Sequence, residues 1–110
     1  YVMLGPDDIV DRVQIYQAAA SGLTRIADVI VEIGGRDAGG GVAVNTSTNT
    51  VFVTNARADT VGIIDGVADT LLALVPVGVD PFGVAANPAT NLIYVGNRAS
   101  DDLYIILDNF

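Results

Sequence analysis

The 110-residue sequence contains no cysteine, histidine or tryptophan, and Met3 is its only methionine. Without cysteine, disulfides and thiolate metal sites are excluded. Without histidine or cysteine, the common nucleophile–base pairs cannot form, so we expect no catalytic residue and no enzyme activity in this chain. The same absences argue against zinc, haem and copper. We therefore expect neither a cofactor nor a metal site.

Lysine is also absent: all five cations are arginine, and twelve of the thirteen acidic residues are aspartate, with Glu32 as the exception. The formal net charge of −8 repels a nucleic-acid backbone, so nucleic acid is not an expected partner. Aspartate caps turns through its short side chain, which is typical of a turn-rich all-β chain. The bias is also compatible with a high-salt or extracellular surface. No apolar run approaches the roughly 18 residues of a membrane span.

Aspartate-rich segments do offer hard oxygen ligands for Ca²⁺. Asp7, Asp8 and Asp11 lie close together, and Asp101 is followed by Asp102. No segment, however, has the alternating acidic residues and glycine of a calcium-binding loop, so we assign no metal ligand. The glycine-rich segment at 39–41 precedes a predicted strand rather than a helix, which argues against a phosphate-binding loop.

The sequence does contain a repeat. Gly-Val-Ala-Val-Asn at 41–45 returns as Gly-Val-Ala-Ala-Asn at 83–87, which gives a period of 42 residues. Thr-Asn-Thr-Val-Phe-Val-Thr-Asn at 48–55 returns in step as Thr-Asn-Leu-Ile-Tyr-Val-Gly-Asn at 90–97. A fixed period of this kind indicates a repeat architecture in which each unit buries its apolar face on the next.

Four apolar runs of strand length occupy the central unit, at 41–45, 51–55, 61–65 and 71–77. Short polar turns separate them, and we expect Gly66 to supply positive φ between the third and fourth runs. These features predict an all-β fold, a β-propeller-like array of four-stranded antiparallel meander blades. Small residues in the first strand of each unit fit the crowding near a propeller axis, although an Ala/Gly-rich genome is an alternative cause.

The stretch Gly-Val-Ala-Val-Asn-x4-Thr-Val-Phe-Val-Thr-Asn resembles the YVTN-type β-propeller repeat. The Tyr-Val-Thr-Asn of that family stands here as Phe-Val-Thr-Asn at 52–55 and as Tyr-Val-Gly-Asn at 94–97, and the likeness covers residues 39–107. The resemblance implies a propeller fold and a surface-layer, secreted or periplasmic protein more often than a cytosolic one. We therefore expect an extracellular or cell-surface location. Related propellers also form cofactor-bearing or lactone-hydrolysing domains of enzymes.

Three units follow from the repeat. Residues 1–38 form a divergent, partial blade with strands two to four, residues 39–80 a complete blade, and residues 81–110 a partial blade with strands one to three. Within the first unit we expect strands near 1–2, 13–16 and 29–34.

A helix over 7–20 remains the alternative for the first unit. Pro6-Asp7-Asp8 resembles a helix start, Ile9, Val10, Val13 and Tyr16 recur near helical spacing, and Gly22 would end the helix.

About two and a half blades do not close a propeller, which needs at least about four. The chain is thus expected to be a piece of a longer propeller or a unit that closes with copies of itself, with an engineered or evolved self-assembling fragment as a third possibility. Tyr1 resembles the inside of a strand, which favours a fragment or a processed product. The expected partners are other blades, further copies of the chain, or a protein or carbohydrate.

The meander topology brings the second-to-third loop and the inter-blade loop to one face. The predicted binding face consists of the arginine, aspartate and asparagine residues of these loops: Arg36, Asp37, Asn55, Arg57, Asp59, Asp80, Asn97, Arg98, Asp101 and Asp102. Alternating Arg and Asp in repeated loops suits a polar ligand, a sugar or a cation. A solvated surface with weak ion pairs is the alternative. The function predicted is structural or binding, without catalysis. The alternative function is a slice of a propeller enzyme whose catalytic groups lie in other blades.

Overall fold

The computed structural model describes residues 2–4, 10–33 and 40–110. Those residues form ten β-strands and no helix, which confirms the all-β class. Among them there is consequently no helix with the length and hydropathy to span a membrane. The strands are β1 (Val2–Leu4), β2 (Val10–Ala19), β3 (Gly22–Ile33), β4 (Val42–Asn45), β5 (Thr50–Asn55), β6 (Thr60–Asp65), β7 (Thr70–Pro76), β8 (Pro81–Asn87), β9 (Leu92–Asn97) and β10 (Asp102–Leu107).

The strands form three separate sheets, each a simple antiparallel meander. The N-terminal sheet has the order β1-β2-β3, the central sheet β4-β5-β6-β7 and the C-terminal sheet β8-β9-β10. Hydrogen-bonded neighbours are always consecutive in sequence. The central sheet has the four strands that the polar turns predicted, with bounds within a few residues of the expected ones.

The N-terminal sheet corrects the helical alternative for 7–20. Residues 10–19 form β2, which pairs with β3 through two register shifts, and residues 7–9 lie outside the described residues. Gly22 begins β3, at φ 127°, instead of ending a helix. Both strands are longer than the predicted runs at 13–16 and 29–34. The strand conformation prevails because period-two alternation buries apolar residues on the neighbouring sheet, whereas the helical spacing is only local.

Asparagine and aspartate in the left-handed region close the turns. Asn49 and Asn91 have φ of 54° and 57°, and Asp59 and Asp101 have φ of 58° and 54°, so the turn geometry recurs with the repeat. Short polar side chains tolerate this conformation better than other non-glycine residues. In the β6–β7 turn the residue with positive φ is Asp69, not Gly66 as predicted.

Two apolar clusters lie between the sheets, and β5 contributes to both because successive side chains of a strand point to opposite faces. The cluster between the N-terminal and central sheets comprises Val13, Ile15, Val29, Val51, Val53 and Ile64. The cluster between the central and C-terminal sheets comprises Phe52, Val61, Ile63, Ile93 and Val95. The sheets are therefore stacked in chain order, with the central sheet covered on both faces.

Cover is incomplete at the first strand of the central sheet. Val42 and Val44, on β4, are 39% and 38% exposed. The reason is that β3 of the N-terminal sheet contacts β5 and β7.

Candidate functional site

Three connections meet at one end of the stacked sheets, which we call the loop end: residues 56–59, 77–80 and 98–101. Backbone hydrogen bonds join them in a row. The N–H of Val77 donates to the carbonyl oxygen of Asp59 at 2.9 Å, and the N–H of Ala99 donates to that of Val79 at 3.1 Å. The shared end follows from the meander topology, because β5–β6, β7–β8 and β9–β10 all connect there.

Asp59 organises the connection between the central and C-terminal sheets. Its positive φ turns the loop so that Oδ1 accepts a hydrogen bond from the N–H of Asp80 at 2.9 Å. The carbonyl oxygen of Asp59 also accepts the N–H of Val77. One aspartate thus holds both ends of the segment 77–80.

Arg98 and Asp80 form an ion pair at this surface. The Nε and Nη2 atoms of Arg98 donate to the two carboxylate oxygens of Asp80, each at 3.0 Å. The guanidinium carbon also lies 4.0 Å from the centroid of the Phe82 ring. A bidentate pair stacked on an aromatic ring has a defined orientation. With side chains 56% and 34% exposed, water screens the pair, and its contribution is mainly to geometry.

A second network of hydrogen bonds, centred on Asp102, joins the connections 77–80 and 98–101. Asp102 Oδ1 accepts hydrogen bonds from Ser100 Oγ at 2.7 Å and Asn97 Nδ2 at 3.0 Å. Ser100 Oγ in turn accepts the N–H of Val79 at 2.9 Å. Glycine is required at position 78, because a Cβ atom there would lie 2.6 Å from Asn97 Nδ2.

The structure separates the predicted binding residues into two groups. Asn55 and Asn97 are 0% and 3% exposed, and their amides are used inside the fold; Asn55 Nδ2, for example, donates to Thr60 Oγ1 at 3.1 Å. Arg36 and Asp37 lie outside the described residues. The predicted residues at or near the loop end that keep accessible surface are Arg57, Asp59, Asp80, Arg98, Asp101 and Asp102.

Sequence reasoning missed Ser100 of the loop end and Phe82, which lies next to the loop end at the start of β8. The available signal was divergence within the repeat. Phe82 aligns with Gly40, Ser100 with Ala58 and Arg98 with Ala56 at the 42-residue offset. The C-terminal unit thus carries ring, hydroxyl and guanidinium groups where the central unit has none.

A shallow depression of about 510 Å³ continues from the loop end onto the outer side of the C-terminal sheet. Its lining consists of Phe82, Gly83, Gly96, Asn97, Arg98, Asp101, Asp102 and Leu103. Gly83 lies in its floor, where an added Cβ atom would meet no atom within 4 Å. The equivalent position on the central sheet, Gly41, is covered instead, and its N–H donates to the Phe82 carbonyl oxygen at 3.0 Å.

The opposite end carries a buried polar cluster that the sequence did not indicate. Asp108 is 5% exposed, and its Oδ2 accepts hydrogen bonds from Asn45 Nδ2 at 2.8 Å and Thr48 Oγ1 at 2.5 Å. Asn45 Nδ2 also donates to Asn91 Oδ1 at 3.1 Å. These bonds join the central sheet to the end of β10. The described residues include no group of three or more His, Cys, Asp or Glu placed to hold a metal ion.

Comparison with known proteins identifies a likeness of fold. No family model matches the sequence, and no curated protein matches it significantly. Among solved structures, a chain of "Kuenenia stuttgartiensis Hydrazine Synthase" is similar with a TM-score of 0.73 and 20% identity. The match covers 91% of this chain and 35% of the other, so this chain spans about a third of its length. At that identity the likeness concerns the fold alone.

Proposed function

We propose that the chain is a non-enzymatic part of a propeller-like array whose loop end binds a protein or carbohydrate partner, at the cell surface or outside the cell. The observation that carries this proposal is the row of three hydrogen-bonded connections with charged groups exposed along it. The stacked sheets act as blades, and their function is to hold that row rigid.

The propeller-like part of the proposal is supported by equivalent hydrogen bonds one repeat apart. The N–H of Gly66 donates to the carbonyl oxygen of Asn49 at 2.7 Å, and the N–H of Asp108 donates to that of Asn91 at 2.8 Å. The donor and the acceptor of the second bond each lie 42 residues after those of the first bond. Meanders that repeat their turn geometry and stack in chain order are typical of blades. The resemblance to YVTN-type repeats is part of the same proposal.

The binding part is supported by the way the loop end is built. Hydrogen bonds among the three connections reduce the conformational entropy that a partner would have to remove. Arg57, at the tip of the first connection, and Arg98, in the third, offer guanidinium donors, while Asp59 offers a carboxylate acceptor. Alternating donors and acceptors suit the hydroxyl groups of a sugar or the backbone of a peptide.

An array of neutral oligosaccharides, acidic oligosaccharides and short peptides tests the proposal with the full chain as the labelled probe. We expect binding to one class that is lost in the double variant Arg57→Ala/Arg98→Ala. Arg25→Ala is the matched control, because Arg25 is an exposed arginine on β3, outside the loop end. Equal loss in the control variant would mean nonspecific charge attraction, and no binding to any class would contradict a display function.

A second candidate function follows from the fold comparison. The similar solved chain carries the name of an enzyme, and this chain corresponds to about a third of it. In that case the chain is a scaffold segment of a larger enzyme, with catalytic groups such as histidine supplied from elsewhere. Assay of the longest natural protein that contains this sequence decides between the two. Turnover that Arg57→Ala and Arg98→Ala leave unchanged favours the scaffold segment.

A further inference from the structure

The outer face of the C-terminal sheet is apolar and exposed. Leu103 and Ile105 are 57% and 58% exposed, and Tyr94, which pairs with Ile105 across β9 and β10, is half-buried. Soluble proteins seldom present such contiguous apolar side chains without an occupant.

The repeat identifies what covers the same face one unit earlier. Phe52, Val61 and Ile63 are the equivalents of Tyr94, Leu103 and Ile105 at the 42-residue offset. All three are 0% exposed, because they pack against Ile93 and Val95 of the C-terminal sheet. A unit of this chain therefore uses this face to receive the unit that follows.

The polar groups around that face are repeated as well. On the central sheet, Asp59 accepts two N–H groups from the segment 77–80, and Gly41 donates to the first strand of the incoming sheet. Asp101 and Gly83 are the equivalents on the C-terminal sheet. Asp101 has nearly the same φ as Asp59, 54° against 58°, and Gly83 lies in the open floor of the depression.

We infer that the outer face of the C-terminal sheet is a docking site for one further sheet of this 42-residue repeat. The inference deepens the propeller-like part of the proposed function and rests on it, but it is independent of what the loop end binds. Asp101 accepts two backbone N–H groups from the connection that leads into the further sheet. The N–H of Gly83 donates to a carbonyl oxygen of its first strand.

The face sets requirements on its occupant. Val84, Ile93 and Val95 fill the corresponding place against the central sheet, so the further sheet needs β-branched residues at these repeat positions. Its first strand must also come as close as β8 comes to Gly41, where an added Cβ would lie 2.9 Å from Phe82 O. This approach excludes a bulky side chain at Gly83 itself.

A second copy of the chain fits this face poorly. Its N-terminal sheet uses the face of Val13 and Val29 against the central sheet, so Gln14 and Asp28, which pair next to them, point to the opposite face. Head-to-tail stacking through that face would bring the polar side chains of Gln14 and Asp28, instead of aliphatic groups, to the apolar surface that includes Leu103 and Ile105. Desolvation of a carboxylate against aliphatic groups is unfavourable.

The test supplies the proposed further sheet. A copy of residues 69–110 is appended after Phe110, so that position 111 repeats Asp69 and the 42-residue register is kept. Asp101→Gly is then made in the original and in the extended chain, since glycine keeps the positive φ and removes the acceptor. Asp59→Gly gives the size of the effect in an occupied site, and Asp69→Gly is the control for the backbone change.

Asp101→Gly is expected to leave urea unfolding of the original chain unchanged. In the extended chain it should raise the unfolding equilibrium constant roughly tenfold, as Asp59→Gly does in both chains. Hydrogen exchange at the Gly83 amide should slow only on extension.

Three results would overturn the inference: no effect of Asp101→Gly in the extended chain, an appended tail that proteases remove without change to the rest, or failure of the extended chain to fold. Self-association of the original chain that Ile105→Glu abolishes would also overturn it, because the occupant would then be a second copy. None of these results depends on Arg57 or Arg98, so they leave the binding proposal intact.

Discussion

Asn45 donates a hydrogen bond from its Nδ2 atom to Oδ2 of Asp108 at 2.8 Å, although 63 residues separate the two. Both side chains are buried, at 0% and 5% exposed. A buried carboxylate is stable only when donors compensate for its lost hydration. Asn45 and Thr48 provide those donors, so this pair ties the first strand of the central sheet to the residue after β10.

Asn45→Ala should therefore destabilise the chain by about 2 kcal/mol, because it removes a donor from a buried charge. Urea unfolding followed by circular dichroism measures this change. Asn87→Ala is the matched control one repeat later: Asn87 is half-buried, and its Oδ1 accepts the exposed N–H of Ala89. Its cost should stay below about 1 kcal/mol. Equal costs at both positions would show that the Asp108 contact contributes nothing.

Gly41→Ala should destabilise the chain by about 1–3 kcal/mol, since overpacking against a backbone atom forces the sheets apart. The new Cβ would lie 2.9 Å from the Phe82 carbonyl oxygen and 3.3 Å from Val84 Cγ1. Gly83→Ala makes the same substitution where there is no neighbour within 4 Å. That variant should be neutral or stabilised by about 0.5 kcal/mol through the unfolded chain. A thermal-unfolding comparison that ranks the two variants in the reverse order would contradict the stacking of β8 on Gly41.

Phe52→Ala should cost about 3–5 kcal/mol, because it leaves a cavity between the central and C-terminal sheets. Phe52 is 0% exposed, and its ring also lies edge-on to that of Phe110 at 6.5 Å. Tyr94→Ala, the equivalent change on the outer face, should cost about 1 kcal/mol. Guanidinium unfolding of both variants checks the difference, and comparable losses would mean that the two faces are equally covered in solution.

The ion pair of the loop end should contribute little to stability. In a double-mutant cycle of Asp80→Asn and Arg98→Gln, the coupling energy should be about 0.2–1 kcal/mol and should fall at high salt. Asparagine is chosen because Asp80 has a φ of 57°, which Asn tolerates. A coupling of several kcal/mol that persists in 1 M salt would mean that water does not reach the pair.

The central and C-terminal units were predictable because their signals are local. Asn49 and Asn91 recur at one spacing, and each closes a turn with a positive φ. Such positions need no knowledge of the tertiary contacts. The sequence pattern also predicted that Asp80 and Arg98 lie at the same end of the sheets, because the meander topology decides at which end each loop lies.

The N-terminal unit could not be resolved in the same way. Val13 and Tyr16 fit a helical spacing as well as a strand, and the burial that separates the two depends on Val51 and Val53 of another sheet. The pairing of Asp108 with Asn45 was equally hidden, because one aspartate after a strand has no local signal. The bidentate hydrogen bonds between Arg98 and Asp80 could not be predicted either, because they depend on the register of the strands, which the sequence pattern does not contain.

The order of the sheets has a consequence for how the chain folds. Every strand pairs with its neighbour in sequence, and each sheet packs on the one before it. Contacts of short sequence separation form quickly, and a chain that leaves the ribosome N-terminus first can complete each meander as it emerges. The bond between Asn45 and Asp108 is an exception, since it must await the last strand. Folding should thus proceed from one end to the other, and Asn45→Ala should speed unfolding while leaving the folding rate nearly unchanged.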